Sequence, residues 1–357
     1  MFITAIVFIV ILSILVFVHE FGHFITAKKL GMGVEEFGFG LPPRLWGKKV
    51  GETIYSINWL PVGGFVKLAG EDLEPGQEKE IDPKQRKRFF WARSKKERAA
   101  VLLAGVSMNF VLAVVIISFI FTHGVYLPTD QVHVETVSAN SPAALAGLQE
   151  RDLIISLAGK TVTTTEEFIA ITQENLEQPV ELKVVRNGEP ITVSVTPRKN
   201  PPEGEGAMGV AISDIELRKY PWYLAPFYGL KESLYISYLT LVSLGQTLVK
   251  LVTFQTSKID VAGPIGIAEA TGQAVKYGYI AVLQLTSLLS LNLAILNALP
   301  IPALDGGRLL FVVFEKFLGR KVKPKVEAAA HQIGLMFLLG LIALVTINDI
   351  IRILRRG

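Results

Sequence analysis

The sequence predicts a multi-pass α-helical membrane protein with four transmembrane helices, a membrane-associated β-hairpin and one inserted α+β module. Three observations carry that expectation. Half of the 357 residues are hydrophobic and only 19% are charged, an apolar excess beyond what a soluble core needs. The excess is gathered into four long runs. Between the second and third of these lies residues 123–221, a stretch that is polar, acidic and rich in turn residues. The chain has no cysteine, which excludes a disulfide framework, a thiolate nucleophile and a Cys-based zinc site, so any metal must be held by His and carboxylate.

The first run, residues 1–18, carries no charge and resumes as FGHFITA after a single His-Glu pair. It is long enough for a membrane helix and lacks the basic n-region and small-residue cleavage site of a signal peptide. The other runs are 99–121, 279–304 and 328–351. Orientation follows from the charges between them. Residues 25–99 hold 15 Lys/Arg against 10 Asp/Glu, 307–328 hold 6 Lys/Arg, and 123–221 hold 8 Lys/Arg against 14 Asp/Glu. By the positive-inside rule the first two segments are cytoplasmic and the acidic one is outside, with both termini outside; Arg352, Arg355 and Arg356 run mildly against this. The expected divisions are 1–122 for an N-terminal membrane half, 123–215 for an extracytoplasmic module, 216–275 for an amphipathic interfacial helix and connector, and 276–357 for a C-terminal membrane half.

Within the first cytoplasmic segment, KQRKRFFWARSKKER at 84–98 interleaves basic and aromatic residues. Beside a membrane span this pattern suits anionic headgroups, gripped by Arg86, Lys87 and Arg88 with the Phe89 to Trp91 belt, rather than nucleic acid. In the module, Asn187-Gly188 between VELKVV and PITVSV signals a hairpin, and SPAALAGL reads as a short helix capped by Ser141 with Pro142 at its first position. Residues 222–252 could pass for a fifth span, but Lys231, Glu232, Ser233, Gln246 and Lys250 interrupt them. An amphipathic helix lying on the outer leaflet is expected there.

His19-Glu20-Phe21-Gly22-His23 forms an H-E-x-x-H motif at the end of the first span. On a helix the two imidazoles lie one above the other and can bind one ion, with Glu20 about 100° around and able to reach a metal-bound water. Titratable groups in an apolar span are costly unless paired or bound to something, which favours Zn2+; a histidine-lined proton path or a helix end at the headgroups are the alternatives. Zinc hydrolases use three protein ligands and an open position. Of the other histidines, His123 and His133 fall on the wrong side and His331 starts the fourth helix, so a carboxylate is the better third ligand. Asp305 stands in NALPIPALDGGR at the end of the third span, after Pro300 and Pro302 break the helix. Depth agrees: at 1.5 Å per residue His19 sits about 27 Å into a core of about 30 Å, and Asp305 ends a span running in the same direction.

These residues also carry a resemblance. HEFGH at His19 to His23, LDGG at Leu304 to Gly307, GGFVKLAG at Gly63 to Gly70 and the GxxxN of Gly105 to Asn109 resemble the site-2 protease family of intramembrane zinc metalloproteases, in particular its bacterial regulator-of-sigma-E branch. The match covers nearly the whole chain, since 123–221 is similar to a bacterial PDZ domain. The enterobacterial type carries two tandem PDZ domains and this chain has one, which places it with the single-PDZ members. The resemblance implies zinc on His19, His23 and Asp305, water activation by Glu20, a bacterial plasma membrane location, and a transmembrane protein substrate already shortened by a prior cut.

A substrate helix must unwind before its peptide bonds can be attacked. The alternating GGFVKLAG stretch suits a strand with an open edge, so Gly63, Gly64, Phe65 and Val66 are expected to receive the substrate as an added strand; a buried structural hairpin is the alternative. The family's NxxPxP stretch, here Asn297, Pro300 and Pro302, is implicated in substrate handling, although Asn297 could equally make an interhelical hydrogen bond. GAMGVAI at Gly206 to Ile212 resembles the loop and strand with which PDZ domains capture a C-terminal peptide; a size filter or spacer is the other use. Two rivals fall outside peptidase chemistry. A PDZ-bearing membrane scaffold has no use for His19, Glu20, His23 and Asp305 at matched depth, and an ion-coupled transporter is poorly served by four spans without an evident repeat.

Overall fold

The computed structural model describes residues 2–70, 82–253, 263–319, 322 and 324–356. The tip of the 25–99 loop and part of the 216–275 connector lie outside them. The chain divides into two units, residues 1–120 with 222–357, and residues 121–221.

In the first unit, α1 (Phe2–Lys29) is apolar all round, so its inward face is marked by burial rather than by pattern. Ile11, Leu15, His19, His23 and Ala27 form the buried stripe at helical spacing, while Ile3, Ile6, Val10 and Ile14 are exposed. β1 (Val34–Val50) and β2 (Thr53–Leu68) follow, and each folds back on itself. Residues 36–39 pair with 64–67 on one side and with 54–57 on the other, and 44–50 pair with 53–58. The expected hairpin is therefore four segments in the order 44–50, 53–58, 36–39, 64–68, with the two outer pairings antiparallel and 53–58 running in the same direction as 36–39. The last segment leans on α1 because Gly63 and Gly64 leave room: a Cβ at Gly63 would sit 2.9 Å from Val16, and its φ of +73° suits glycine. Ser13 on α1 donates to Pro61 O at 2.9 Å and accepts from Gly63 N–H. The short α2 (Pro83–Arg86), capped by Asp82, leads to α3 (Lys95–His123).

The second unit is a six-stranded antiparallel sheet with two helices. β3 (Val125–Val137), α4 (Pro142–Leu145), β4 (Leu153–Leu157), β5 (Lys160–Thr161), α5 (Thr165–Glu174), β6 (Val180–Arg186), β7 (Glu189–Val195) and β8 (Val210–Arg218) give the order β7-β6-β4-β3-β8, with β5 on β4. The Asn187-Gly188 hairpin forms as read, with φ of 52° and 89° closing Arg186 against Glu189. Ser141 caps α4 through Ala144 N–H. Val132, Val134, Ile154, Leu157, Phe168, Leu182 and Met208 fill the core. The boundary expected at 215 falls inside β8, whose pairing with β3 continues to Arg218.

Back in the first unit come α6 (Ala225–Val252), α7 (Pro264–Tyr277), α8 (Tyr279–Ala298), α9 (Asp305–Leu318) and α10 (Pro324–Arg356). Among the described residues four helices are long and apolar enough to cross a membrane: α1, α3, α8 and residues 329–352 of α10. The third run was expected to reach 304, but α8 stops at Ala298, because Pro300 forces Leu299 into extended backbone.

Residues 222–252, expected as an amphipathic interfacial helix, hold α6, which is not among these four helices. A Cβ at Gly229 of α6 would sit 2.2 Å from Ser118 Oγ of α3, and Thr240 Oγ1 donates to Asn292 Oδ1 of α8 at 3.5 Å. Ser290 Oγ donates to Asn109 O at 2.7 Å and sets α8 against α3. α6 thus touches α3 at Gly229 and α8 at Thr240. Gly229 and the buried Ser233, one turn apart, form a small-residue packing face.

Candidate metal centre

His19 and His23, one turn apart on α1, turn their rings edge to face, with Nε2 atoms 3.2 Å apart. Asp305, the first residue of α9, brings its Oδ2 to 3.0 Å from His19 Nε2 and 3.1 Å from His23 Nε2. The three atoms make a nearly equilateral triangle. Ligands at about 2.0–2.1 Å on a tetrahedral zinc ion are about 3.3 Å apart, so the triangle has the size of one face of such a site.

The hydrogen bonds behind the rings decide which way their lone pairs point. His23 Nδ1 lies 2.8 Å from Val101 O, which can only accept, so Nδ1 carries the proton and Nε2 the lone pair. His19 Nδ1 faces the buried Asn109 carboxamide, 3.4 Å from Nδ2, while Asn109 Oδ1 has no partner. Turning that amide over satisfies both groups and leaves His19 Nε2 with its lone pair inward. Asp305 Oδ2 has no hydrogen-bond donor either. Three buried acceptors then converge with no donor between them, an arrangement that costs several kcal/mol unless a cation sits among them. The donor set of two imidazoles and a carboxylate suits zinc.

Glu20 stands outside the triangle. Its Oε2 accepts the Val66 N–H at 3.1 Å, so the 64–68 segment of β2 passes directly beside it. Residues 64–67 have their sheet partners on the 36–39 side, and Val66 N–H points away from that partner, toward α1. Two glycines make the closeness possible. A Cβ at Gly22 would lie 2.5 Å from Ala104 O, and one at Gly105 would lie 2.4 Å from His23 Nε2.

Asn297 is half-buried in the last turn of α8, and Pro300 and Pro302 are exposed in the loop before α9. Neither the sheet glycines nor these three residues join the triangle itself. His123 and His133 belong to the 121–221 unit. Val101 O escaped the sequence reading because a backbone carbonyl leaves no residue-type signal, and Gly105 and Asn109 entered it only through the GxxxN resemblance. A further pair ties the helices of the centre together: Arg98 of α3 and Glu315 of α9 form a buried ion pair, and Lys95 Nζ donates to Glu315 O at 2.7 Å.

The description of peptidase family M50 matches residues 7–341. The chain belongs to peptidase family M50. This is the site-2 protease family, and with that membership the M50 chain is a zinc metalloprotease. The zinc metalloprotease RasP of Oceanobacillus iheyensis is 32% identical over 98% of this chain and 99% of its own. The regulator of sigma-W protease RasP of Bacillus subtilis is 31% identical, with the same coverage of both chains. Among solved structures, the PDZ domain of an SdrC-like protein from Listeria monocytogenes is 22% identical, with a TM-score of 0.22, over 25% of this M50 chain and 95% of that one.

Proposed function

We propose that this chain is an intramembrane zinc endopeptidase that cuts single-span membrane proteins near the cytoplasmic end of the span. The observation that carries the reading is the triangle of His19, His23 and Asp305 with both imidazole lone pairs turned inward. These three residues hold the metal. Bound zinc supplies Lewis acidity toward the scissile carbonyl and toward water. Glu20 accepts the proton at its carboxylate, with Oε2 held by Val66 N–H, and returns it to the leaving amine. Val101 O and Asn109 keep both rings in the ligand tautomer throughout.

The substrate adds as an extended strand along residues 64–68, using main-chain hydrogen bonds close to Glu20. Gly63, Gly64, Phe65 and Val66 receive it, and Asn297, Pro300 and Pro302, in the segment that leads to Asp305, help to handle it. Relatives named for sigma-factor regulation make an anti-sigma factor the first substrate class to try, with signal-peptide remnants the second.

The basic segments 25–99 and 307–328 face the cytoplasm, and 121–221 is extracytoplasmic. Arg86, stacked over Trp91 at 5.2 Å, grips anionic headgroups. The external unit is PDZ-like and takes a C-terminal peptide along β8. That strand is at the edge of its sheet, beside a cavity of about 240 Å³ lined by Phe168, Thr172, Met208, Val210 and Ile212.

Metal analysis of the detergent-purified chain tests the reading. About one zinc per chain is expected, lost in His19→Ala and Asp305→Ala. Glu20→Gln is expected to keep the metal and lose proteolysis. A His19→Ala variant with full zinc content contradicts the ligand set.

A further inference from the structure

We propose that His331, on α10, is a positioning residue for Asp305. The inference rests on the reading of Asp305 as a metal ligand, and it concerns how that carboxylate comes to point at the two imidazoles.

The turn between α8 and α9 contains Leu299 to Leu304, and its backbone donors can be accounted for one by one. Pro300 and Pro302 have none. Leu299 N–H bonds Ile295 O and Leu296 O, Ile301 N–H bonds Leu299 O at 2.7 Å, and Leu304 N–H bonds Ile301 O at 3.2 Å. Ala303 N–H leaves the turn altogether and donates to His331 Nδ1 at 2.9 Å, across 28 residues of sequence. Because Nδ1 accepts, the ring is neutral with its proton on Nε2.

Ala303 has a φ of +78°. This is the left-handed region, which an alanine adopts only when its surroundings impose it. Two residues later the chain enters α9 with Asp305 at its first position, so the peptide planes that Ala303 sets determine where the carboxylate emerges.

Four contacts hold the clamp around this turn. From α9, the Phe311 ring lies 6.0 Å from the His331 ring, centroid to centroid. From α10, Gly334, one turn beyond His331, lets Pro302 approach so closely that a Cβ there would lie 2.5 Å from Pro302 O. From below, Cβ atoms at Gly306 and Gly307 would strike Leu299 O and Ile301 O. The turn is packed on two sides by glycines and held at its left-handed residue by one imidazole. His331 contributes no ligand; it acts on Asp305 through the backbone, as partners outside a metal's own ligands commonly do.

The test is a set of substitutions in the full-length, detergent-solubilised chain, read by zinc competition against a chelator of known affinity and by the visible spectrum of the Co2+-loaded protein. His331→Leu removes the acceptor and is expected to weaken zinc binding about 10–100-fold. His331→Asn puts an amide oxygen near the position of Nδ1 and is expected to bind within about threefold of the parent, whereas His331→Gln carries its oxygen one bond farther and is expected to resemble His331→Leu. Ala303→Gly adopts the left-handed conformation without strain and is expected to recover most of the affinity lost in His331→Leu. Parental affinity in His331→Leu, or equal affinities in the Asn and Gln variants, overturns the proposal. If His331→Leu does not fold, the Asn and Gln pair decides alone. Asp305→Ala separates the two readings: zinc retained there defeats the ligand assignment, while zinc lost there but retained in His331→Leu defeats only the role of His331.

Discussion

Val66 N–H donates a 3.1 Å hydrogen bond to Glu20 Oε2, joining a strand of the β-sheet to the carboxylate of the H-E-x-x-H helix across 46 residues of sequence. One backbone amide thereby links the element proposed to receive the substrate with the group proposed to move protons. Replacing Val66 with proline deletes that donor while leaving the triangle intact. Cleavage of a model single-span substrate is expected to fall about 100-fold or more, with zinc content unchanged. Val66→Ala keeps the N–H and is expected to retain most activity. Normal cleavage by Val66→Pro contradicts both the orienting bond and strand addition.

The floor of the proposed metal centre is glycine. At Gly105 a methyl group would lie 2.4 Å from His23 Nε2 and 2.8 Å from His19 Cε1, so Gly105→Ala must push the rings apart. Loss of zinc binding is expected, with helical content by circular dichroism unchanged. A Gly105→Ala protein that binds zinc as the parent does shows that the rings can shift without cost.

Arg98 and Glu315 face each other with side chains 6% and 3% exposed. Removing one partner strands the other charge, so Glu315→Ala is expected to cost about 3–5 kcal/mol in unfolding measurements. Exchanging the two charges, Arg98→Glu with Glu315→Arg, is expected to recover a substantial part. If the exchange is no better than the single variant, the pair is not acting as an ion pair.

In the 121–221 unit, burial pushes the Asp152 carboxyl up, but Arg186, at 2.7 Å and 2.8 Å, and the Gln149 N–H outweigh it and hold the group below the ordinary carboxylate range. A carboxyl lowered by folding adds stability above its unfolded pKa of about 3.9 and loses it as pH falls through the folded value. Amide exchange in β6 of the full chain is expected to accelerate below about pH 4. Arg186→Met is expected to reduce that acid step and lower protection at neutral pH. Unaltered pH dependence in Arg186→Met rules the pair out as its source.

Much of the centre was legible because its chemistry is local. His19 and His23 meet through helical spacing alone, and Pro300, Pro302 and Gly306-Gly307 announce a broken helix beside Asp305. The Asn187-Gly188 hairpin and the Ser141 cap are equally short-range. The rest depends on partners far away in sequence. His331 looked like the start of a helix because its partner, Ala303 N–H, is a backbone group. The contacts of α6, Gly229 against Ser118 of α3 and Thr240 with Asn292 of α8, are likewise long-range and leave no trace in its charge pattern. The doubling-back of β1 and β2 also leaves no trace in residue alternation, since it is fixed by pairing with two partners at once.

The triangle has an implication for biosynthesis. Two of its corners leave the ribosome within the first 23 residues, whereas the third comes only at residue 305, and the imidazole that clamps its turn comes later still, at residue 331. Until nearly the whole polypeptide has been made and inserted, nothing resembling the completed centre can exist. The proposed centre therefore cannot assemble before the α8–α9 turn and α10 have joined α1.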